Sequence, residues 1–233
     1  DSVLQEILDY QVDGIVLASV AMSSQLAERC DAAGIPVVLF NRAQNDDSFS
    51  TVTSDNFSGG RALADFLVAG GHKRIAYIAG WEGASTQRDR EAGFRAGLAD
   101  HGCELFARGI GDFRTDRAAE AALEMFNGEQ VPDAVFVAND HMAFAVMDVL
   151  RGKLGLSIPG DVSVVGYDDV QLSAWPSFDL TTVSQPSDEM VAETVSALMA
   201  QIEEGETVPR RVTIQGGLVV RGSARRPATG KKE

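Results

Sequence analysis

Short apolar runs alternate with longer amphipathic ones along most of the chain. Residues 14–18 read as a buried strand, 23–33 as a helix and 36–40 as a strand again. A short, weaker strand at 50–53 leads into a helix from 56 to about 69, then strand 74–79, helix 86–101 and a weak strand near 107–111. Helix 115–127, strand 133–138, helix 140–154 and strand 162–167 complete the regular part. Continuous Val/Ile/Leu runs mark strands buried on both faces, and the helices between them are the crossovers that parallel neighbours require, so the pattern predicts a parallel α/β sheet. Punctuation agrees. Asp55 and Asn56 offer N-cap oxygens, as do Ser85 and Thr86, and Gly70-Gly71 stops a helix ahead of the next strand.

After Tyr167 the rhythm changes to a brief strand at 180–184, one long amphipathic helix from 187 to about 204, and two short strands at 211–214 and 218–221. A sheet pattern that breaks off and returns predicts a chain crossing several times between two lobes. The chain opens with a helical apolar stripe, Val3, Leu4, Ile7 and Leu8, which in a wound sheet packs beneath strands already laid down. The expectation is that the first lobe lacks at least one strand-helix-strand unit upstream.

Composition narrows the partners. With 233 residues, 45% of them hydrophobic, the chain can bury one large core or two modest ones. A formal charge of −14 repels phosphates, so contact with DNA has to come from residues outside this chain. Arg210-Arg211, Arg225-Arg226 and Lys231-Lys232 read as solvated strand ends and tail. No apolar run approaches the roughly 20 residues of a membrane span, and Cys30 and Cys103 suit reduced cytoplasmic thiols better than a disulfide.

Ligands of open parallel sheets bind beyond the carboxyl ends of the strands. Those positions hold Asn41 and Arg42; Ser54, Asp55, Asn56 and Ser58; Trp81 and Glu82; Asp112 and Phe113; Asn139 and Asp140; and Tyr167, Asp168 and Asp169. Carboxylates and amides exchange hydrogen bonds with vicinal hydroxyls, and an aromatic face covers the apolar side of a sugar ring, so the set suits a small polyhydroxylated ligand. Asp55, Asn56 and Asp140 serve equally as helix caps, and Phe113 as core, although its loop position beside Asp112 favours stacking on a ligand. The carboxylates could also form an acid-base pair, as in a glycosidase, since sequence does not measure their separation. His72, His101 and His141 lack metal-ligand spacing, and there is no G-x-S-x-G elbow or phosphate loop. The turn Gly80-x-x-Gly83 lacks the dinucleotide pattern. The expectation is a binding protein with no cofactor, no metal and no catalysis.

These residues resemble the sensor domains of LacI/GalR transcription regulators. The landmarks run in order: Val12-Asp13-Gly14-Ile15-Val16-Leu17, Gly34-Ile35-Pro36-Val37-Val38, Asp55-Asn56 with Gly59-Gly60-Arg61, Gly71-His72-Lys73-Arg74-Ile75-Ala76 and Arg90-Glu91-Ala92-Gly93-Phe94. The more specific ones follow: Val137-Ala138-Asn139-Asp140, the run 161–169 ending Gly166-Tyr167-Asp168-Asp169, Leu180-Thr181-Thr182-Val183-Ser184-Gln185-Pro186, and Leu218-Val219-Val220-Arg221-Gly222-Ser223.

The resemblance implies two Rossmann-like parallel-sheet lobes of the periplasmic-binding-protein type, joined by three crossovers. They divide as 1–80 plus 186–214 and 81–185 plus 215–233. It implies a sugar-like effector held in the cleft between lobes, whose binding shifts the inter-lobe angle with a coupling of ~1–3 kcal/mol. It also implies a cytoplasmic homodimer and an N-terminal helix-turn-helix domain, absent from this chain, that reads operator DNA. Part of the dimer surface is expected on the exposed side of helix 140–154 and the segment after Asp169. Residue by residue, Arg90 matches the effector-clamping arginine and Arg88 its neighbour. Asn139 and Asp168 match positions that bind ligand hydroxyls or ring nitrogens, and Phe113 matches the stacking aromatic. Gln185 lies near a crossover facing the cleft, and Ser58 stands where some members carry a polar contact. The alternative is a periplasmic sugar-binding protein of a transport system. The 167–169 and 219–223 runs favour the regulator.

Overall fold

The computed structural model describes residues 12–18, 29–30, 32–42 and 48–227. The apolar stripe at Val3–Leu8 and most of the expected helix 23–33 lie outside them. The chain divides into two compact units, residues 1–55 with 186–214 and residues 56–185 with 215–233.

In the first unit, β1 (Ile15–Ala18), β2 (Val37–Phe40), β3 (Ser50–Ser54) and β9 (Arg211–Ile214) form a parallel sheet in the order β1-β2-β3-β9. Alternation along the strands sends Ile15, Leu17, Val37 and Leu39 to one face with Cys30. Val38 and Val52 point to the other, where helix α5 (Ser187–Glu203) supplies Met190 and Ala197. Two expectations change here. β1 is buried on one face only, with Val16 44% exposed, because it ends the sheet among the described residues. β3, read as weak, lies inside the sheet. Its buried Ser50 Oγ accepts from Gln201 Nε2 and the Arg210 N–H, so a polar side chain is accommodated in a central strand.

The second unit is built on β5 (Ala107–Ile110), β4 (Ile75–Ala79), β6 (Ala134–Val137) and β7 (Ser163–Val165), parallel and in that order. Helices α1 (Asn56–Ala69) and α2 (Ser85–Asp100) pack together, as do α3 (Thr115–Met125) and α4 (Asp140–Asp148). Tyr77 meets Phe94 of α2, whereas its strand neighbour Ile78 turns to the side of Ala118 and Met142, so the two helix pairs cover opposite faces of the sheet. Tyr77, Phe94 and Phe136 form the aromatic centre of the core, with Phe136 5.0 Å from each of the others. The helix expected over 140–154 is α-helical to Asp148 and closes in a π-helical turn, Val149–Lys153.

β8 (Thr182–Val183) and β10 (Leu218–Val219) pair antiparallel. Ser223 Oγ then donates to the Val164 carbonyl (2.6 Å) and accepts from the Thr181 N–H (2.8 Å), tying the end of the chain into the second unit.

The first division falls at Asp55/Asn56, not after residue 80 as expected. The cause is packing: α1 lies on α2, and β4 pairs with β5 and β6, so residues 56–80 belong with the second sheet. Both cysteines are free thiols. Among the described residues no helix is long and apolar enough to cross a membrane.

Candidate functional site

The α1–α2 contact sets up the site. A Cβ on Gly60 would overlap the Arg90 carbonyl, and one on Gly93 the Phe57 carbonyl, so only glycine lets the two backbones approach this closely. That approach carries Asn56, the first residue of α1, to Arg90 in the second turn of α2. Arg90 is 3% exposed, and each guanidinium nitrogen has a protein partner. Nε donates to Asn56 Oδ1 (2.8 Å), Nη1 to the Ala138 carbonyl (2.6 Å) and Nη2 to Asp168 Oδ1 (2.9 Å). The guanidinium carbon lies 3.7 Å from the centroid of the Tyr167 ring, a cation–π arrangement. Fixed acceptors and a π face together offset the cost of burying the charge.

Asp168 is held in turn. Gln185 Nε2 donates to its Oδ1 (3.0 Å), its own N–H donates to the Val183 carbonyl (2.8 Å), and its φ is +117°. Asp169 follows at φ +53° and pairs with Arg221 (2.7 Å). Two successive non-glycine residues at positive φ store backbone strain, which the surrounding hydrogen bonds must oppose. The Asp168 side chain keeps 24% of its surface accessible, so a carboxylate edge remains open beside a fixed arginine.

Beneath this loop lies Asp140. It is fully buried and neither caps α4 nor reaches the open edge. Oδ2 accepts from the Val170 N–H (3.0 Å) and Ser173 Oγ (2.7 Å), and Oδ1 accepts from Thr182 Oγ1 (2.7 Å). Burial pushes its carboxyl up to about 6 against the opposing effect of those donors, with the Asp168 charge adding to the rise. Asp140 thus fastens the segment after Asp168 to β8. The cap is Asn139, whose Oδ1 accepts from the Met142 N–H (3.0 Å), leaving its amide nitrogen for other work.

A second network shapes the turn after β4. Gln87 Oε1 accepts from Tyr77 Oη (2.7 Å) and the Gly80 N–H (2.6 Å), while Gln87 Nε2 donates to Glu91 (2.9 Å). Arg108 then bridges Glu91 (2.8 and 2.9 Å) and Glu82 (2.7 Å). Burial of Glu91 favours its neutral form, but hydrogen bonds from Arg108 and Arg95 outweigh that and hold its carboxyl below the usual range. Phe113, at φ +57° directly after Asp112 at +56°, lays its ring where a Cβ of Gly80 would be.

The structure therefore gathers Arg90, Asp168 and Gln185, with Asn56 and Tyr167 completing the cluster. Asn139 directly follows the carbonyl that Arg90 holds. Phe113 rests on Gly80 at the neighbouring strand end. Arg88 is not brought in. It is exposed and donates to the Gly83 carbonyl (3.0 Å), because two residues along a helix point to different faces. Ser58 is half-buried in the first turn of α1, and the guanidinium nitrogens are taken by other groups. Sequence reasoning left Asn56 and Asp140 between two roles and passed over Gln87. The signal for Gln87 was present, since it shares a face of α2 with buried Arg90 and Phe94, where an apolar residue is the norm. The expected caps Ser85 and Thr86 lie inside α2, whose N-cap position is Ala84 with no side-chain cap.

Among the described residues no group of three His, Cys, Asp or Glu side chains could hold a metal ion.

Comparison with known proteins places this geometry in a family. The periplasmic binding protein-like domain model matches residues 64–224. The HTH-type transcriptional regulator CelR of Thermobifida fusca is 35% identical over 216 residues, covering 91% of this chain and 63% of that protein. The chain thus spans less than two thirds of that relative's length. A solved complex of the transcriptional regulator CelR with cellobiose superposes with a TM-score of 0.88 at 34% identity, over 96% of this chain and 69% of that one. A LacI transcriptional regulator from a Rhodococcus species superposes at 0.87 with 29% identity, over 96% of this chain and 82% of the other. The chain belongs to the periplasmic binding protein-like family, among the effector domains of LacI-type transcription regulators.

Proposed function

We propose that the chain senses a small saccharide for a LacI-type regulator and that its second unit holds the ligand through Asp168, Asn139, Gln185 and Phe113, with Arg90 as the fixed charge behind them. The observation that carries this reading is the buried Arg90 joined to a partly open Asp168 carboxylate at the strand ends. Such an edge accepts two vicinal hydroxyls, and pre-ordering it spares the ligand the entropy of assembling it. The named relatives are regulators of transcription, and one is solved with cellobiose, which favours the regulator over the transport alternative and over catalysis. Operator binding would come from a DNA-reading domain outside these residues, consistent with a charge of −14.

The test is calorimetric titration of the full chain with cellobiose, glucose and ribose. Saturable binding of at least one sugar is expected, weakened about ten-fold or more in Gln185→Ala by loss of a group that fixes Asp168. No binding by any of the three contradicts the reading.

The chain also acts as a homodimer in this proposal. Trp175 is 54% exposed in the segment after Asp169, close in sequence to Phe178, which stacks on Phe144 of α4 at 4.2 Å. An exposed aromatic beside an anchored one is a typical interface centre. Sedimentation equilibrium should give a dimer that Trp175→Glu weakens. A monomer at high concentration excludes it.

A further inference from the structure

A second cluster at the strand ends takes no part in holding Arg90. β4 and β5 are parallel neighbours with Ala79 opposite Ile110, and just past their ends lies an open cavity of about 380 Å³ lined by Trp81, Glu82, Ile110, Asp112 and Arg117. Trp81 is 45% and Ile110 48% exposed, two large apolar side chains at the rim of a sheet where ligands bind. Exposing such surface is costly unless something covers it.

The polar groups have a definite character. Glu82 is anchored by Arg108 at 2.7 Å, in the network that runs through Glu91 and Gln87 to the Gly80 N–H, so the turn carrying Trp81 is held at several points. The Trp81 ring lies where a Cβ of Gly83 would be, which fixes it across the turn. Asp112 is next in sequence to Phe113, and both adopt positive φ. The loop that aims Phe113 onto Gly80 therefore also delivers a carboxylate to this cavity. Glu82 is already paired with Arg108, and Asp112 shares the cavity with Arg117, so the lining carries no excess charge and suits a neutral ligand. An indole face, an aliphatic side chain and acceptors at the edge suit a neutral pyranose, whose C–H face stacks while its hydroxyls donate.

We propose that this cavity is a subsite for a second sugar ring, so that the effector is a disaccharide or longer saccharide with one ring at the Asp168 cluster and the next stacked on Trp81. This rests on the reading of the second unit as a saccharide site and goes beyond it by naming ligand length and the residue that selects it. Continuity comes from the sheet order β5-β4-β6-β7, which sets the ends of β5 and β4, at this cavity, beside the ends of β6 and β7, which lead into Asn139 and Asp168. The volume exceeds one pyranose ring, leaving room for ordered water or a third ring.

The experiment titrates the full chain with glucose, galactose, cellobiose, maltose and lactose, in the wild type and in Trp81→Ala and Trp81→Phe. At least one disaccharide should bind about ten-fold or more tighter than its component monosaccharides, the scale of one well-formed aromatic contact. In Trp81→Ala that ratio should collapse to near unity, and Trp81→Phe, which retains a stacking ring, should restore most of it. A wild type that binds monosaccharides and disaccharides alike, or a ratio that survives in Trp81→Ala, overturns the subsite and leaves the Asp168 site standing. Failure of all five sugars overturns both.

Discussion

Replacing Asp140 by Asn removes a buried charge without changing the shape of the side chain, and its effect should depend on pH in a defined direction. Asp140 is fully buried, and its carboxyl titrates at about 6 against an ordinary 3.8. Because the folded value lies above the unfolded one, this group's contribution is greatest at low pH and is lost as pH rises through about 6. At pH 7.5 the group is ionised in both states and contributes nothing through linkage. At pH 5 the folded protein holds the proton and the unfolded chain does not, which is worth on the order of 1 kcal/mol. Asn carries no such term. The stability of wild type minus that of Asp140→Asn should therefore be larger at pH 5 than at pH 7.5 by on the order of 1 kcal/mol, and other titrating groups cancel in the difference. Urea unfolding followed by tryptophan emission isolates the right unit, since both tryptophans, Trp81 and Trp175, lie within residues 56–185. A difference that is constant across that range, or grows toward high pH, refutes the assignment of Asp140 as a buried strut with a raised carboxyl.

Arg90→Ala should lower the stability of the same unit by about 2–4 kcal/mol, because it removes the donor to the Ala138 carbonyl and to Asn56 Oδ1 and leaves the part-exposed Asp168 carboxylate held by Gln185 without its cation. Arg90→Lys should recover part of that in the same urea titration, and no loss in either variant counts against the cluster. Gly93→Ala drives a methyl group into the Phe57 carbonyl and should cost about 1–3 kcal/mol by overpacking, although alanine is the better helix former. A neutral or stabilising outcome means that α1 and α2 are not in backbone contact.

Much of the second sheet was legible because its strands are buried on both faces and read as continuous apolar runs, Ile75–Ala79 and Ala134–Val137 among them. The first crossover was not. The step from residues 50–54 to α1 reads as an ordinary strand-to-helix turn, and what assigns α1 to the second unit is the Gly60–Arg90 and Gly93–Phe57 approach, a long-range contact with no local signature. The same holds for the site. Arg90 could be singled out by resemblance, yet its partners Asn56 and Ala138 stand 34 and 48 residues away, and only the fold brings them together. Arg88 and Arg90 are alike as sequence, and helix phase alone separates the exposed one from the buried one. The π-helical turn at Val149–Lys153 has no counterpart in the hydrophobic pattern, which continues through it.

Hydrogen exchange on the full chain, with and without the sugar among cellobiose, glucose and ribose that raises Tm most, tests the central claim directly. A ligand held at the Arg90–Asp168 cluster should slow exchange at residues 138–142, 166–170 and 183–185, where the backbone N–H groups of Met142, Asp168, Val170 and Gln185 are tied to the site. The first unit's strand starts at Val37 and Ser50 should be unaffected. Protection confined to those strand starts, or no rise in Tm with any of the three sugars, would contradict a saccharide site on the second unit.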